Sequence, residues 1–178
     1  MAALDDPNIL ACHEWWQENI NLQLPELLDM LLSSDVYGMG DQHSKPPNTY
    51  GVYLFSSPER YEYVGRTGLT ERTKLSGGKS YSGFANRLNG HLTARHTSGS
   101  WAYKRTCVSW REAGRSLADS REQNCANQEF MQAFRAEIEV IRAMEFRVVV
   151  IESETVSAVF EMYAATVLAT PWNSFPTS

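Results

Sequence analysis

Apolar residues fall into short, bounded runs along this chain, and their period changes from helical to strand-like and back. Leu10-Ala11, Trp15-Trp16, Ile20 and Leu22 recur at roughly helical spacing. Pro25 suits the first position of a second helix, PELLDMLLSS, in which Leu27, Leu28, Leu31 and Leu32 make one apolar stripe. From Tyr37 to Asn48 the composition turns to Gly, Asp, His, Ser and a Pro-Pro pair, which is linker chemistry. The apolar run Tyr50-Gly-Val-Tyr-Leu-Phe55, the turn Ser56-Ser57-Pro58-Glu59 and the run Tyr61–Gly65 then predict a β-hairpin.

Thr67 to Ser82 is polar and Gly-rich without a period and reads as a loop. Phe84, Leu88 and Leu92 stand at four-residue intervals and predict one face of a helix from Phe84 to Arg95. Ser100 suits the cap of a helix carrying Trp101, Val108 and Trp110 and closing near Gly114. Residues 115–126 read as a polar connection. Asn127 suits the cap of a helix from Gln128 to about Ala143, with Phe130, Phe134, Ile138 and Ile141 inward. Phe146–Ile151 is β-branched and strand-like. Ser153 then caps a last helix to about Thr170, stopped by Pro171. The expected fold is α/β: a small central antiparallel three-stranded sheet flanked by helices, with an N-terminal helical extension over residues 1–48 and the main domain over 49–178.

Composition adds limits. A chain of 178 residues with 43% hydrophobic and 11% aromatic positions suits one globular domain. No run of apolar residues is long enough to span a membrane, and the acidic start MAALDDPNIL lacks the basic and apolar regions of a secretory leader. These features predict a cytoplasmic protein with no membrane partner. Cys12, Cys107 and Cys125 are widely spaced and form no C-x-x-C pair, so neither a disulfide framework nor a zinc finger is expected.

The net charge of −5 conceals a division. Residues 1–59 hold nine acidic groups against Lys45 alone, a net of −8. Residues 60–115 hold eleven Lys and Arg against Glu62, Glu71 and Glu112, a net of +8. Residues 116–178 return to −5, with four Arg against nine acids. A central basic block is what a phosphate-facing surface needs, because neutralised phosphates release condensed counterions. A solvated basic helix and loop would give the same count.

Gly51-Val52-Tyr53 and Tyr63-Val64-Gly65 sit on the two predicted hairpin strands. Arg87 and His91 follow on the next helix, Glu161 on the helix after the third strand, and Asn173 near the end. This ordered set resembles the GIY-YIG nuclease family, with Val for Ile in both halves of the signature, over residues 50–175. The resemblance implies a divalent-metal-dependent DNA endonuclease, with Tyr53, Tyr63, Arg87, His91 and Glu161 catalytic and Glu161 holding Mg²⁺ or Mn²⁺. The N-terminal segment 1–48 matches no pattern.

The residue types suit that chemistry on their own terms. Phosphodiester hydrolysis needs an activated water, neutralised charge on the phosphorus centre, and help for the leaving oxygen. A lone carboxylate such as Glu161 can hold a cation that keeps most of its waters. Arg87 offers a donor fork for phosphate oxygens, and His91, one turn on, lies on the same helix face with an ordinary pKa near neutrality. Tyr53 as general base would need its pKa lowered by Arg66, His91 or the metal; Tyr63 would orient water or phosphate. Arg66, Arg72, Lys74, Lys79, Arg95 and Asn173 are expected DNA or phosphate contacts, with Tyr81 at the loop tip. Glu161, flanked by Val159, Phe160, Met162 and Tyr163, needs a partner if buried.

Other patterns fail. Ser76-Gly-Gly-Lys-Ser80 ends like a P-loop, but Thr73 stands where its first Gly belongs. His13, His43 and His96 lack metal-ligand spacing. With no separate DNA-recognition domain in view, cutting would be restriction-type and site-specific, or a repair or structure-specific activity guided by a partner protein, or by a homodimer through the N-terminal helices. A catalytically silent DNA-binding module would have lost one of the Tyr, Arg or Glu positions, and an interaction protein would have no need of the basic block.

Overall fold

The strand β1 (Gly51–Ser56) is buried at every position because it is central in its sheet and covered on both faces. The computed structural model describes residues 14–37, 45–47, 49–67, 83–95 and 99–173. β1 pairs antiparallel with β2 (Tyr61–Thr67) and with β3 (Glu145–Val150), giving the sheet order β2-β1-β3. The fold is therefore the expected α/β arrangement, a three-stranded antiparallel sheet flanked by helices.

Alternation along β1 divides the core. Val52 and Leu54, with Val64, Val149 and Ile151, meet a cluster that includes Ile20, Leu24, Leu28 and Leu31 from the N-terminal segment. Ile20 comes from a π-helical turn (Gln17–Asn21) and the three leucines from helix α1 (Gln23–Ser33), so residues before the linker share the core of the sheet. α1 starts two residues before Pro25, which is tolerated because first-turn N–H groups have no helical partner. The last helix, α6 (Glu154–Val167), covers the same face with Val156, Phe160 and Ala164.

Tyr53 and Phe55, with Phe146 and Val148, point to the opposite face. There they meet Phe84 and Leu88 of helix α2 (Phe84–His91), Trp101 of α3 (Ser100–Glu112) and Phe130, Phe134, Ile138 and Ile141 of α5 (Gln128–Arg142). Asn127 and Ser153 cap α5 and α6 as their residue types predict, accepting from Glu129 and Phe130 N–H and from Val156 N–H.

Three local expectations need correction. α2 ends at His91, so Arg95 lies on the following loop and not on the helix. Ser100 begins α3 and does not cap it; Gly99, at φ +64, occupies the cap, and its N–H donates to Gly90 C=O at 2.9 Å. A further helix, α4 (Arg121–Ala126), occupies the supposed connection, started by a reciprocal capping box between Ser120 and Gln123. Among the described residues, no helix is long and apolar enough to cross a membrane.

Candidate active site

Both glycines of the hairpin motifs are required by what lies against them. Gly51 has φ +151, and a Cβ there would collide with Val149 C=O on β3. Gly65 sits opposite Tyr53 in the β1–β2 register, and a Cβ on it would overlap the Tyr53 ring and hydroxyl. The Tyr53 side chain thus lies across Gly65, wholly buried, at the heart of the aromatic face.

Its hydroxyl is a meeting point. Tyr53 Oη is 2.8 Å from His91 Nε2, its ring lies 6.3 Å from that of Tyr63, and the Arg87 charge acts on it. His91 is boxed by the rings of Tyr53, Phe55, Tyr63 and Trp101, with centroids 5.4–6.0 Å away. Burial shifts both ionisations away from the ordinary values of these groups. Burial, more than the neighbouring tyrosine, drives the Tyr53 pKa upward, and Arg87 only partly offsets it. Arg87, not Arg66 or His91, is the cation at Tyr53. Burial and then Arg87 lower the His91 pKa to about 4, so His91 is neutral at working pH instead of poised near it.

Tyr63, half-buried, carries the hydroxyl at the surface of the site. It stacks on Trp101 at 5.0 Å and 17° and lines two adjoining hollows. One, about 300 Å³, holds Arg87, Gly90, His91, Gly99, Ser100 and Trp101. The other, about 230 Å³, holds Ser100, Trp101, Lys104, Glu161, Trp172 and Asn173. Because Tyr63, Ser100 and Trp101 line both, the hollows form one cleft at the β2 edge of the sheet.

Glu161 reaches this cleft from α6, and the partner its apolar setting requires is Arg66: Nε to Oε2 is 3.1 Å. Burial raises the Glu161 pKa despite Arg66 and, next, Arg87. Among the described residues, no group of three His, Cys, Asp or Glu could cage a metal. Among the described residues, Glu161 is the one acidic residue lining the cleft. That donor set does not suit zinc, which takes several protein ligands, and does suit a hard cation bound by one carboxylate, water and phosphate.

Asn173 has a different job from the phosphate contact expected of it. Its Nδ2 donates to Val64 C=O at 2.7 Å, and its Oδ1 accepts from Val64 N–H at 2.9 Å and from Thr170 Oγ1 at 2.8 Å. Both oxygen lone pairs and one N–H are spent, leaving at most one donor for any ligand. The amide caps the open edge of β2 between Tyr63 and Gly65.

Tyr53, Tyr63, Arg87, His91 and Glu161 are therefore brought together, with Arg66 and Asn173 beside them. Arg95 is exposed and lines neither hollow. Arg72, Lys74, Lys79 and Tyr81 lie outside the described residues. Sequence reasoning missed Trp101, Lys104 and Trp172, which have no motif spacing to Tyr63 and meet it only through the fold. No protein-family model, curated protein or solved structure matches the chain at a significant level.

Proposed function

We propose that this chain is a DNA endonuclease of the GIY-YIG kind, hydrolysing phosphodiester bonds with Mg²⁺ or Mn²⁺. One observation carries the reading: Tyr63, Arg87, His91 and Glu161, from β2, α2 and α6, converge on one cleft in the order of the motif. Arg87 would take the phosphate oxygens with its donor fork. Tyr63 would hold the attacking water, backed by the Tyr53 ring at 6.3 Å, whose hydroxyl is fixed by His91. Water gives up a proton to solvent as it adds to phosphorus, the bond to the 3′ oxygen breaks, and that oxygen takes a proton from solvent as it leaves. A divalent cation on Glu161 would supply charge neutralisation at the phosphate.

Tyr53 is wholly buried, lines neither hollow and has its hydroxyl on His91, so in this mechanism it positions its neighbours and is not the group that takes the proton from water. The basic block from Arg60 to Arg115 would hold the DNA backbone. The free thiols Cys107 and Cys125 suit a cytoplasmic setting. A second copy of the chain or a partner protein would supply a second cut or a choice of site.

The test is incubation of the purified protein with plasmid and Mg²⁺ or Mn²⁺, followed by sequencing of the ends. Cleavage that Arg87→Ala abolishes is expected. Ends sharing one sequence would assign a restriction-type role; ends clustered at branches or damage would assign a repair role. Intact single-stranded, duplex and branched DNA after incubation with wild type would overturn the proposal.

A further inference from the structure

Trp172 is held at three points and is half-buried, packed against the aromatic cluster while lining the cleft. Its indole N–H donates to Glu62 Oε2 at 3.1 Å, the Arg105 guanidinium lies 5.0 Å from its ring centre, and Lys104 Nζ reaches its C=O at 3.5 Å. The anchor itself is costly. Glu62 is a buried carboxylate, 5% exposed, which the β-bulge opposite Phe55 and Ser56 turns out of the strand alternation. Arg105 meets that charge at 3.5 Å and is braced by Glu137 at 2.7 Å. A buried charge network that fixes a large aromatic at the mouth of a cleft, and does not bury it, prepares that ring for a ligand.

The neighbouring groups define the ligand. Tyr63, Trp172, Ser100, Lys104 and Glu161 together line a hollow of about 230 Å³. A hollow of that size is on the scale of a single base. We infer that Trp172 is the stacking platform for one unpaired nucleobase of the strand being cut, with Lys104 taking an adjoining phosphate. Stacking on an aromatic side chain is tolerant of base identity, so the platform would hold the strand without reading it. This inference rests on the DNA reading of the same cleft.

The experiment measures binding without divalent cation, by fluorescence anisotropy of a short oligothymidylate and of an abasic oligomer of equal length. Wild type is expected to prefer the oligomer with bases by roughly 10- to 100-fold. Trp172→Leu should abolish that preference, while Trp172→Phe, which keeps the ring and loses the bond to Glu62, should keep most of it. Equal binding of the two oligomers by wild type, no binding of either, or an undiminished preference in Trp172→Leu would overturn the inference. So would a Phe variant as impaired as the Leu variant, which would make Trp172 a strut for Glu62. Plasmid cleavage by wild type, measured separately, decides the endonuclease reading, so failure of one is distinguishable from failure of the other.

Discussion

The Tyr53 ring occupies the space that the missing side chain of Gly65 leaves on the neighbouring strand. The two motif halves are thus one packing unit: a glycine on β2 admits a buried tyrosine from β1, whose hydroxyl then reaches His91 and whose ring packs beside Tyr63. Gly65→Ala should force the ring aside, costing about 1–3 kcal/mol of stability and on the order of 100-fold in cleavage rate by misplacing Tyr63 and Arg87. Gly90→Ala is the contrast, since a Cβ there meets nothing within 4 Å. Inside helix α2 it should stabilise, by about 1 kcal/mol. Urea unfolding of both variants checks the pair; equal stabilities would contradict the packing argument.

His91 gives the protein an acid-sensitive element. Its pKa falls from the ordinary 6.5 to about 4 on folding, so between those values the native state binds fewer protons than the unfolded chain. Stability should therefore rise with pH across that window and be lost as pH falls through it, by on the order of 3 kcal/mol in total. His91→Gln cannot titrate and should show a flatter acid limb. Unfolding free energies at pH 4, 5, 6 and 7 test this; parallel curves for the two proteins would remove the assignment.

Much of this was legible in the chain, and the reason lies in how local each signal is. The hairpin, the helix faces of Phe84 and Leu88 and of Phe130 and Phe134, and the caps Asn127 and Ser153 depend on neighbours within a few positions. The convergence of Tyr63, Arg87, His91 and Glu161 was legible only because they stand in motif order. Ionisation was not, because a pKa is set by burial that arises from α3 and α5 closing over the sheet. Nor was the Trp172–Glu62–Arg105 contact, which joins the chain end to a bulged residue on β2. The capping box Ser120-x-x-Gln123 was readable and outweighed the polar composition around it.

Asn173 should matter to stability before it matters to DNA. Its amide makes two bonds to Val64 on the otherwise open edge of β2. Asn173→Ala should cost about 1–3 kcal/mol by leaving those groups unmet. Asn173→Asp should rescue only part of the loss, because a carboxylate still accepts from Val64 N–H and Thr170 Oγ1 but cannot donate to Val64 C=O. Thermal unfolding decides: a phosphate ligand without this clasp would lose no stability in either variant.

Glu161 should behave in the opposite way, as a residue kept for what it does and not for what it stabilises. Its pKa is raised by burial even with Arg66 at 3.1 Å, so the folded state holds its proton more tightly than the unfolded chain. By linkage, ionised Glu161 works against folding, and stability declines as pH rises through its titration. Glu161→Gln removes that charge while keeping the shape. The variant should be at least as stable as wild type at neutral pH, lack this part of the pH slope, and cut no DNA. Metal provides the second arm. A cation bound at Glu161 would stabilise wild type by about 1.4 kcal/mol at ten times its dissociation constant, and the Gln variant not at all. Thermal unfolding with and without Mn²⁺ measures both effects in one series. An inactive variant that is also much less stable would make Glu161 a structural partner of Arg66, and a Gln variant that Mn²⁺ still stabilises would put the metal elsewhere.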